Sequence, residues 1–179
     1  VLPILTPCRS IVTIHDCIHL MFPEYLPGRI AHIYAKLAGW IATNRSAHIL
    51  TVSETSKRDI LKIFSVEPSK VDVIYNAIDD CFSRNQSEQH IQRVRERYQL
   101  HGRFILYSGN VKPHKNIERL IDAFHRLRQM GFDDIKLLIT GSEVSRHATL
   151  RRAVHHYHLH QHVRFLGFLS TETLASLYR

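Results

Sequence analysis

The amino-acid sequence predicts an α/β fold in which parallel sheets are flanked by helices. Short apolar runs that fit buried strands alternate with longer stretches in which apolar residues recur at helical spacing. The alternation continues along the whole chain, and it implies parallel sheets with helical cover. Residues with distinctive chemistry follow the strands, which places them at the edge where open α/β sheets bind ligands.

The composition indicates a globular protein with an anionic partner. Of its 179 residues, 44% are hydrophobic and 22% are charged, which argues against disorder. The net charge of +8 suits a nucleotide, a nucleic acid or an acidic membrane surface, and does not choose between them. No run reaches the ~20 apolar residues of a membrane span. The first ten residues, VLPILTPCRS, lack the basic region of a signal peptide and read as if cut from a longer chain.

The cysteines and histidines do not predict a metal site. Cys8, Cys17 and Cys81 are odd in number and lack metal-ligand spacing, so we expect reduced thiols in a cytosolic protein rather than a Cys8–Cys17 bridge. Five of the 14 histidines cluster between positions 155 and 162, but no cysteine or carboxylate completes a ligand set. We expect a basic, solvent-facing edge there and no bound metal.

The first part of the chain predicts strands at residues 10–14, 48–52 and 71–75. A helix at residues 29–44 lies between the first two strands, and its apolar stripe is expected to face the core. The residues of that stripe are Ile30, Ile33, Tyr34, Leu37 and Ile41. Ser53 is the expected N-cap of the next helix, and the residues of that helix expected to face inward are Ile60, Leu61 and Phe64.

The composition becomes polar at residues 85–103, which we interpret as an interdomain connection containing a surface helix. Residues 1–84 are therefore assigned to one domain and residues 104–179 to a second. The second part predicts strands at residues 104–107, 135–139 and 163–166. Its helices are expected after Asn116, at about residues 146–157, and after Ser170.

The loop between the strand at residues 104–107 and the helix after Asn116 predicts an anion site. It contains Gly109 and brings Lys112 and Lys115 to a helix N-terminus, for which Asn116 is the expected N-cap. It is not a Walker A loop, because a second glycine and the hydroxyl residue after the lysine are absent. It is not G-x-G-x-x-G either. The alternative is a pair of solvated loop lysines.

Other candidate positions lie, by topology, at the carboxyl edge of a predicted sheet. They are His15, Asp16, Asn76, Asp79, Gly141 and Gly167. For Asp16 and His15 the alternative is that one of them caps the next turn. Two sheets with their carboxyl edges facing would enclose a cleft.

The order of these motifs resembles the retaining glycosyltransferases of family 4, which have the two-domain Rossmann-like GT-B fold. The matching segments are HD at 15–16, ILTVSETSKRDI at 49–60, KVDVIYNAID at 70–79, YSGNVKPHKNIERLIDAF at 107–124, KLLITGS at 136–142 and VRFLGFLSTETLASLY at 163–178. SGNVKPHKN is similar to the mannosyltransferase-type members. The resemblance implies portions of two Rossmann-like domains. It also implies that the acceptor loop precedes Val1 and that the E-x(7)-E carboxylates follow Arg179.

The resemblance also implies the roles of individual residues. His15 and Asp16 take the catalytic positions, with His15 reaching the donor sugar or its phosphate and Asp16 serving as no more than a positioning residue. Lys115 holds the donor diphosphate together with Gly109, Asn110 and Lys112. Gly141, Arg164, Phe165 and Gly167 border the donor nucleotide, and Asn76 and Asp79 form an interdomain turn. The family usually has arginine at Asn110, so one cation is missing. Lys112 is a candidate replacement, and the alternative is reliance on the helix N-terminus after Asn116. It usually has glycine at Ala77, so that turn is expected to differ.

The function implied is transfer of a sugar, with mannose as a candidate, from a nucleotide sugar such as GDP-mannose to a glycan or lipid-linked acceptor, with retention. No cofactor and no metal are expected, and nucleic acid is not an expected partner, because the basic residues are not interleaved with aromatic residues. The expected location is the cytoplasm, with peripheral contact to the anionic inner face of a membrane. This fragment alone is expected to be inactive. The alternatives are a non-catalytic relative with the same fold and a basic nucleic-acid-binding module.

Overall fold

The computed structural model describes residues 8–84, 86–141 and 147–179. The chain forms two compact units, Val1–Ala77 and Ile78–Arg179. Each unit contains a three-stranded sheet with all strands parallel, and helices connect the strands. The predicted α/β class with parallel sheets is therefore confirmed.

The first unit has its strands in the order β1-β2-β3. They are β1 (Ile11–Thr13), β2 (His48–Thr51) and β3 (Val71–Val73), and the helices are α1 (Ile18–Met21), α2 (Arg29–Arg45) and α3 (Glu54–Phe64). Short 3-10 turns at Pro23–Tyr25 and Pro68–Lys70 join them. The core forms where Ile49 and Val71, paired across the sheet, meet Ile60 and Phe64 of α3. The Ser53 side chain accepts a hydrogen bond from the Ser56 N–H at 3.1 Å, as predicted for this N-cap.

Helix α2 forms as predicted, but its predicted core stripe faces outward. Ile30, Ile33, Tyr34 and Leu37 are 85%, 64%, 63% and 54% exposed, and Ile41 is only half-buried. The buried residues of the helix are Ala42 and Thr43, on the opposite face. The prediction was wrong because it took the larger apolar side chains for the core face, whereas small side chains make the contact.

Gly39 shows why the small face of α2 packs inward. A Cβ atom added at Gly39 would lie 2.5 Å from Cζ and 2.8 Å from Cε1 of Phe64. Real Cβ atoms do not approach other atoms this closely, so the ring of Phe64 occupies the space that any other residue would need. A larger residue at this position would therefore have to displace the end of the Phe64 ring.

The second unit has its strands in the order β4-β5-β6. They are β4 (Phe104–Ser108), β5 (Lys136–Thr140) and β6 (Val163–Gly167), and the helices are α4 (Asp80–Ser83), α5 (Glu88–Arg97), α6 (Ile117–Gln129), α7 (Ala148–His156) and α8 (Thr171–Leu177). The main core packs Ile117, Ile121 and Phe124 of α6 against Leu137 and Ile139 of β5. The predicted start of α7 at residue 146 lies outside the described residues.

The predicted interdomain connection at residues 85–103 differs from the structure. The two units divide between Ala77 and Ile78, and α5 belongs to the second unit. Val94 and Leu100 are buried in a cluster with Leu138 of β5 and Leu177 of α8. Although the segment is polar overall, its apolar residues Val94 and Leu100 pack the helix against the sheet.

We predict that Gly39→Ala lowers the free energy of unfolding by about 1–3 kcal/mol, because overpacking against Phe64 outweighs the gain in helix propensity. Chemical denaturation monitored by circular dichroism measures this change. In a Phe64→Leu background, where the ring is absent, the same substitution should be neutral or stabilising. An equal loss in both backgrounds would show that the Phe64 ring is not the cause.

Candidate functional site

Hydrogen bonds bring three glycines together at the carboxyl edge of the second sheet. The Gly109 N–H donates to the Thr140 carbonyl at 3.1 Å, and the Gly141 N–H donates to the Gly167 carbonyl at 2.8 Å. The Thr140 hydroxyl donates to the same Gly167 carbonyl at 2.7 Å. Gly167 has a φ of 70°, where a side chain would be strained. The predicted clustering of Gly109, Gly141 and Gly167 at this edge is therefore observed.

The loop after β4 is fixed at its start by Tyr107. Its hydroxyl donates to the Asn110 carbonyl at 3.1 Å, and burial raises its pKa. A Cβ atom at Gly109 would lie 3.1 Å from the Tyr107 hydroxyl oxygen. Gly109 therefore lets the chain pass directly over the tyrosine before it turns toward α6.

The remainder of the loop is a 3-10 turn, Pro113–Lys115, followed by Asn116. The Lys115 N–H donates to the Lys112 carbonyl at 2.9 Å, which closes the turn. Asn116 occupies the N-cap of α6 as predicted, but in the left-handed conformation, with φ 52° and ψ 41° and no side-chain capping hydrogen bond. The expectation that its side chain caps the helix was wrong, because this backbone conformation replaces the extended one from which capping occurs.

A cavity of about 370 Å³ lies beside this loop. Lys112, Asn116 and Glu118 border it from the loop and the first turn of α6, and His147 and Thr149 border it from the start of α7. Lys115 is exposed but is not among the lining residues. Neither the Lys112 nor the Lys115 ammonium forms a hydrogen bond or ion pair with another residue of the described segments. Lys112 and Lys115 thus precede the N-terminus of α6, and their charges together with the helix end attract an anion. The Glu118 carboxylate weakens the positive potential at this helix end.

The structure does not bring the side chains of Arg164 and Phe165 to this edge. The Arg164 guanidinium donates to the Tyr98 carbonyl and, at 3.3 Å, to Oε1 of Gln99. Arg164 lies near the start of β6 rather than at its carboxyl end. Its guanidinium therefore binds the backbone and side chain that follow the C-terminal end of α5. Phe165 packs against the main core. The resemblance implied that the backbone near residues 164–167 borders the base, and of these residues Gly167 does lie at the edge.

His15 and Asp16 follow β1 and border a mostly apolar cavity of about 340 Å³ in the first unit. The Asp16 carboxylate accepts a hydrogen bond from the Ile18 N–H at 3.0 Å, so it caps the start of α1. His15 is exposed. Of the two alternatives left open for Asp16, the capping one is therefore observed.

Asn76 and Asp79 flank the point at which the chain passes from one unit to the other. Both are exposed, and the Asp79 carboxylate accepts a hydrogen bond from the Cys81 N–H at 2.9 Å. Hydrogen bonds from the backbone and thiol of Cys81 hold the pKa of Asp79 below its usual range. Among the described residues, Ala77 is not one of the non-glycine residues with positive φ. The turn therefore avoids the strain that alanine in place of the family's glycine would cause at positive φ.

His147 and Thr149 were missed by the sequence analysis. The sequence could have indicated them, because they lie at the start of the helix after β5, at the same sheet edge as the glycines. Over residues 8–84, 86–141 and 147–179, no three His, Cys, Asp or Glu side chains converge as a metal site would require. In the same segments, no helix has the length and apolarity to cross a membrane.

Family models identify the family to which this chain, with its two parallel α/β units, belongs. The model for glycosyl transferases group 1 matches residues 88–179, just over half of the chain. The model for Glycosyltransferase Family 4 matches residues 2–82. The chain therefore belongs to the glycosyl transferases group 1 family, and the family prediction made from the motifs is confirmed.

Among curated relatives, the O-antigen chain mannosyltransferase RfbU of Salmonella typhimurium is 28% identical over 93% of this chain and 42% of its own length. The O-antigen chain mannosyltransferase B of Escherichia coli is 27% identical over 95% of this chain and 44% of its own length. Among solved structures, Anabaena HepE in complex with UDP and glucose is similar, with a TM-score of 0.76 at 18% identity over 94% of this chain and 43% of that one. This likeness supports the GT-B fold. The chain spans less than half the length of these relatives.

We predict that Cys17, which borders the His15 cavity, reacts slowly with thiol reagents. Burial, with a smaller contribution from the charges of Asp59 and Asp16, raises its pKa to about 11. Because only the thiolate is nucleophilic, its reaction with a chromogenic disulfide at pH 8 should be about a hundredfold slower than that of the exposed Cys8, and should accelerate as the pH rises toward 11. Single-cysteine variants, with the other two cysteines replaced by serine, separate the rates. Equal rates would contradict the buried position of Cys17.

Proposed function

We propose that the protein containing this chain is a retaining hexosyltransferase, which moves a sugar from a nucleotide-sugar donor to a glycan or lipid-linked acceptor. The observation that carries the proposal is the loop from Gly109 to Asn116, where Lys112 borders a cavity of about 370 Å³ and Lys115 precedes the N-cap of α6. Sugar transfer releases a nucleoside diphosphate whose negative charge grows in the transition state. Cations and backbone N–H groups placed at that diphosphate lower the barrier.

Each part of this site has a proposed role. Lys115 and Lys112 bind the diphosphate, with Gly109 and Asn110 supplying backbone at close range. Lys112 replaces the cation that the family usually has at Asn110, and its place in the cavity lining supports this role. Gly141 and Gly167 border the nucleotide base. No metal or cofactor is needed in this proposal, because the protein supplies the positive charge.

The first unit is proposed to serve the donor sugar and the acceptor. His15 is the proposed catalytic contact to the donor sugar, and its exposure at the end of β1 leaves it available. Asp16 is proposed to position His15 and the sugar, because one of its oxygens is already held by the Ile18 N–H. Asn76 and Asp79 are proposed as the interdomain turn, with Asp79 held in place by Cys81.

Mannose from GDP-mannose is the proposed donor sugar, because O-antigen mannosyltransferases are among the relatives. HepE, of the same fold, was solved with UDP, so UDP donors are the competing possibility. A Campylobacter jejuni relative, 33% identical over 67% of this chain and 30% of its own length, is named for a diphospho-undecaprenol acceptor. That name supports a lipid-linked acceptor in polysaccharide synthesis, and hence a cytoplasmic protein peripheral to the inner face of a membrane.

A second candidate function is a non-catalytic protein that keeps the sugar-nucleotide site. Asn110 is the observation that favours it, because the family usually has a cation there. Release of free nucleoside diphosphate from the sugar nucleotide, assayed in the presence of glycan and lipid-linked acceptors, distinguishes the two. Donor binding without any turnover would favour the non-catalytic function.

We predict that Lys115→Ala and Lys112→Ala each lower donor affinity by about tenfold, on the order of 1.4 kcal/mol, because each removes a charge-assisted contact to phosphate. Calorimetric titration with GDP-mannose, UDP-glucose and dTDP-glucose measures this, on the chain and on any longer protein that contains it. Turnover of the active protein should fall by at least as much.

The matched control for these variants is Lys62→Ala, which removes an exposed lysine of α3 far in sequence from the loop. It should leave donor binding unchanged. Unchanged donor affinity in both Lys115→Ala and Lys112→Ala would overturn the proposed donor site.

A further inference from the structure

A buried threonine ends β5, whose other buried residues are apolar. Leu137, Leu138 and Ile139 are fully buried, and Thr140, which follows them, is only 3% exposed. A hydroxyl group in such a place costs free energy unless it forms a hydrogen bond. An apolar residue would fill the same space without this cost, so the hydroxyl of Thr140 needs an explanation other than packing.

The pairing of β5 with β6 is irregular at this residue. Ile139 pairs with Phe165, but the next residue, Thr140, pairs with Gly167, so the register passes over Leu166. An extra residue of this kind is rare between parallel strands, and it bends the strand and redirects the residues that follow. The register between β4 and β5 is regular as far as Thr140. The irregularity therefore displaces Gly167 relative to a regular β4–β5 edge.

The Thr140 hydroxyl bonds to the residue that the irregularity displaces. It donates to the Gly167 carbonyl at 2.7 Å, and the Gly141 N–H donates to the same oxygen at 2.8 Å. A carbonyl oxygen has two lone pairs, so these two bonds use its capacity and fix its direction. Glycine adopts many backbone conformations at similar cost, so the φ of 70° at Gly167 is maintained by such contacts and not by the residue itself.

We propose that Thr140 is a positioning residue of the donor site, whose hydroxyl holds the displaced end of β6 so that the Gly167 backbone stays beside the nucleotide base. The inference rests on the proposed function, in which Gly141 and Gly167 border that base. Thr140 itself does not touch the base, because its side chain is buried and its hydroxyl hydrogen is already donated.

The diphosphate loop is held by a different group of the same residue. The Gly109 N–H donates to the Thr140 carbonyl at 3.1 Å, and any residue at position 140 would supply that carbonyl. Removing the hydroxyl should therefore disturb the nucleotide edge and leave the lysine loop in place. The side chain of Thr140 and its backbone can thus be tested separately.

Thr140→Val removes the hydroxyl and keeps the branched shape of the side chain. In calorimetric titration with GDP-mannose and UDP-glucose, on the chain and on any longer protein that contains it, donor affinity should fall about three- to tenfold, as for the loss of one hydrogen bond. Thr140→Ser retains the hydroxyl and should bind within about twofold of the unsubstituted chain. Because Lys115→Ala acts on the loop, the two fold-changes should multiply in the double variant.

The matched control is Ser176→Ala. Ser176 is 4% exposed in α8 of the same unit, and its hydroxyl donates to the Glu172 carbonyl at 3.0 Å. It therefore also removes one buried hydroxyl bond to a carbonyl, but should leave donor affinity unchanged. Thermal unfolding confirms that each variant is folded. Thr140→Ala, which removes the same hydroxyl, replaces the valine variant if that variant is not folded.

Amide hydrogen exchange, followed by NMR without donor, tests the position of the edge directly. In Thr140→Val the Gly141 amide should exchange about three- to tenfold faster, because its acceptor is less firmly held. The Gly109 amide, which bonds to a backbone carbonyl, should change by less than about twofold. Ser176→Ala should change neither amide by more than about twofold.

Two outcomes would overturn the inference. One is donor affinity in Thr140→Val that equals the affinity in Ser176→Ala, and the other is exchange at Gly141 that does not accelerate. If the unsubstituted protein binds neither donor, the proposed function fails instead. The exchange rates then decide by themselves whether the Thr140 hydroxyl positions this edge.

Discussion

The parallel register of β4, β5 and β6 is the constraint on which the rest of the second unit depends. It ends the three strands side by side at Ser108, Thr140 and Gly167. The Thr140 carbonyl then accepts a hydrogen bond from the Gly109 N–H, and the Thr140 hydroxyl donates one to the Gly167 carbonyl. A shift of one residue in this register would separate the glycines and move the loop that carries Lys112 and Lys115. The position of the cations is thus set by the sheet, although neither lysine is part of a strand.

The two units use opposite kinds of helix contact. In the second unit, α6 turns Ile117, Ile121 and Phe124 toward the sheet, so the larger apolar side chains form the core. In the first unit, α2 turns its small residues inward and accepts the ring of Phe64 against Gly39. Close packing accounts for both contacts. In the first unit the large side chain, Phe64, comes from α3, so α2 supplies the small residues. The large residues of α2 are then left outside, which is why that unit has an apolar surface.

The sequence predicts the strands and helices well because their period and boundaries are local. All six strands and the capping of α3 by Ser53 follow from nearby residues. The inward face of α2 does not, because it depends on Phe64, which is distant in the chain. The same limit applies to Arg164, whose partners Tyr98 and Gln99 lie on the segment that composition marked as a connection. For the candidate site, topology predicts the glycine edge and the lysine loop, whereas the shared cavity of His147 and Lys112 requires that α7 be placed beside α6.

The left-handed Asn116 has a consequence for how α6 responds to a ligand. The first N–H groups of this helix donate no hydrogen bond to the Asn116 side chain, so the helix begins without the usual side-chain acceptor. An anion that accepts hydrogen bonds there completes the helix from outside. Occupancy and local order are then thermodynamically linked, and the first turn becomes more protected against amide hydrogen exchange when the anion is bound. The end of the helix would thus report on the binding of the proposed donor diphosphate.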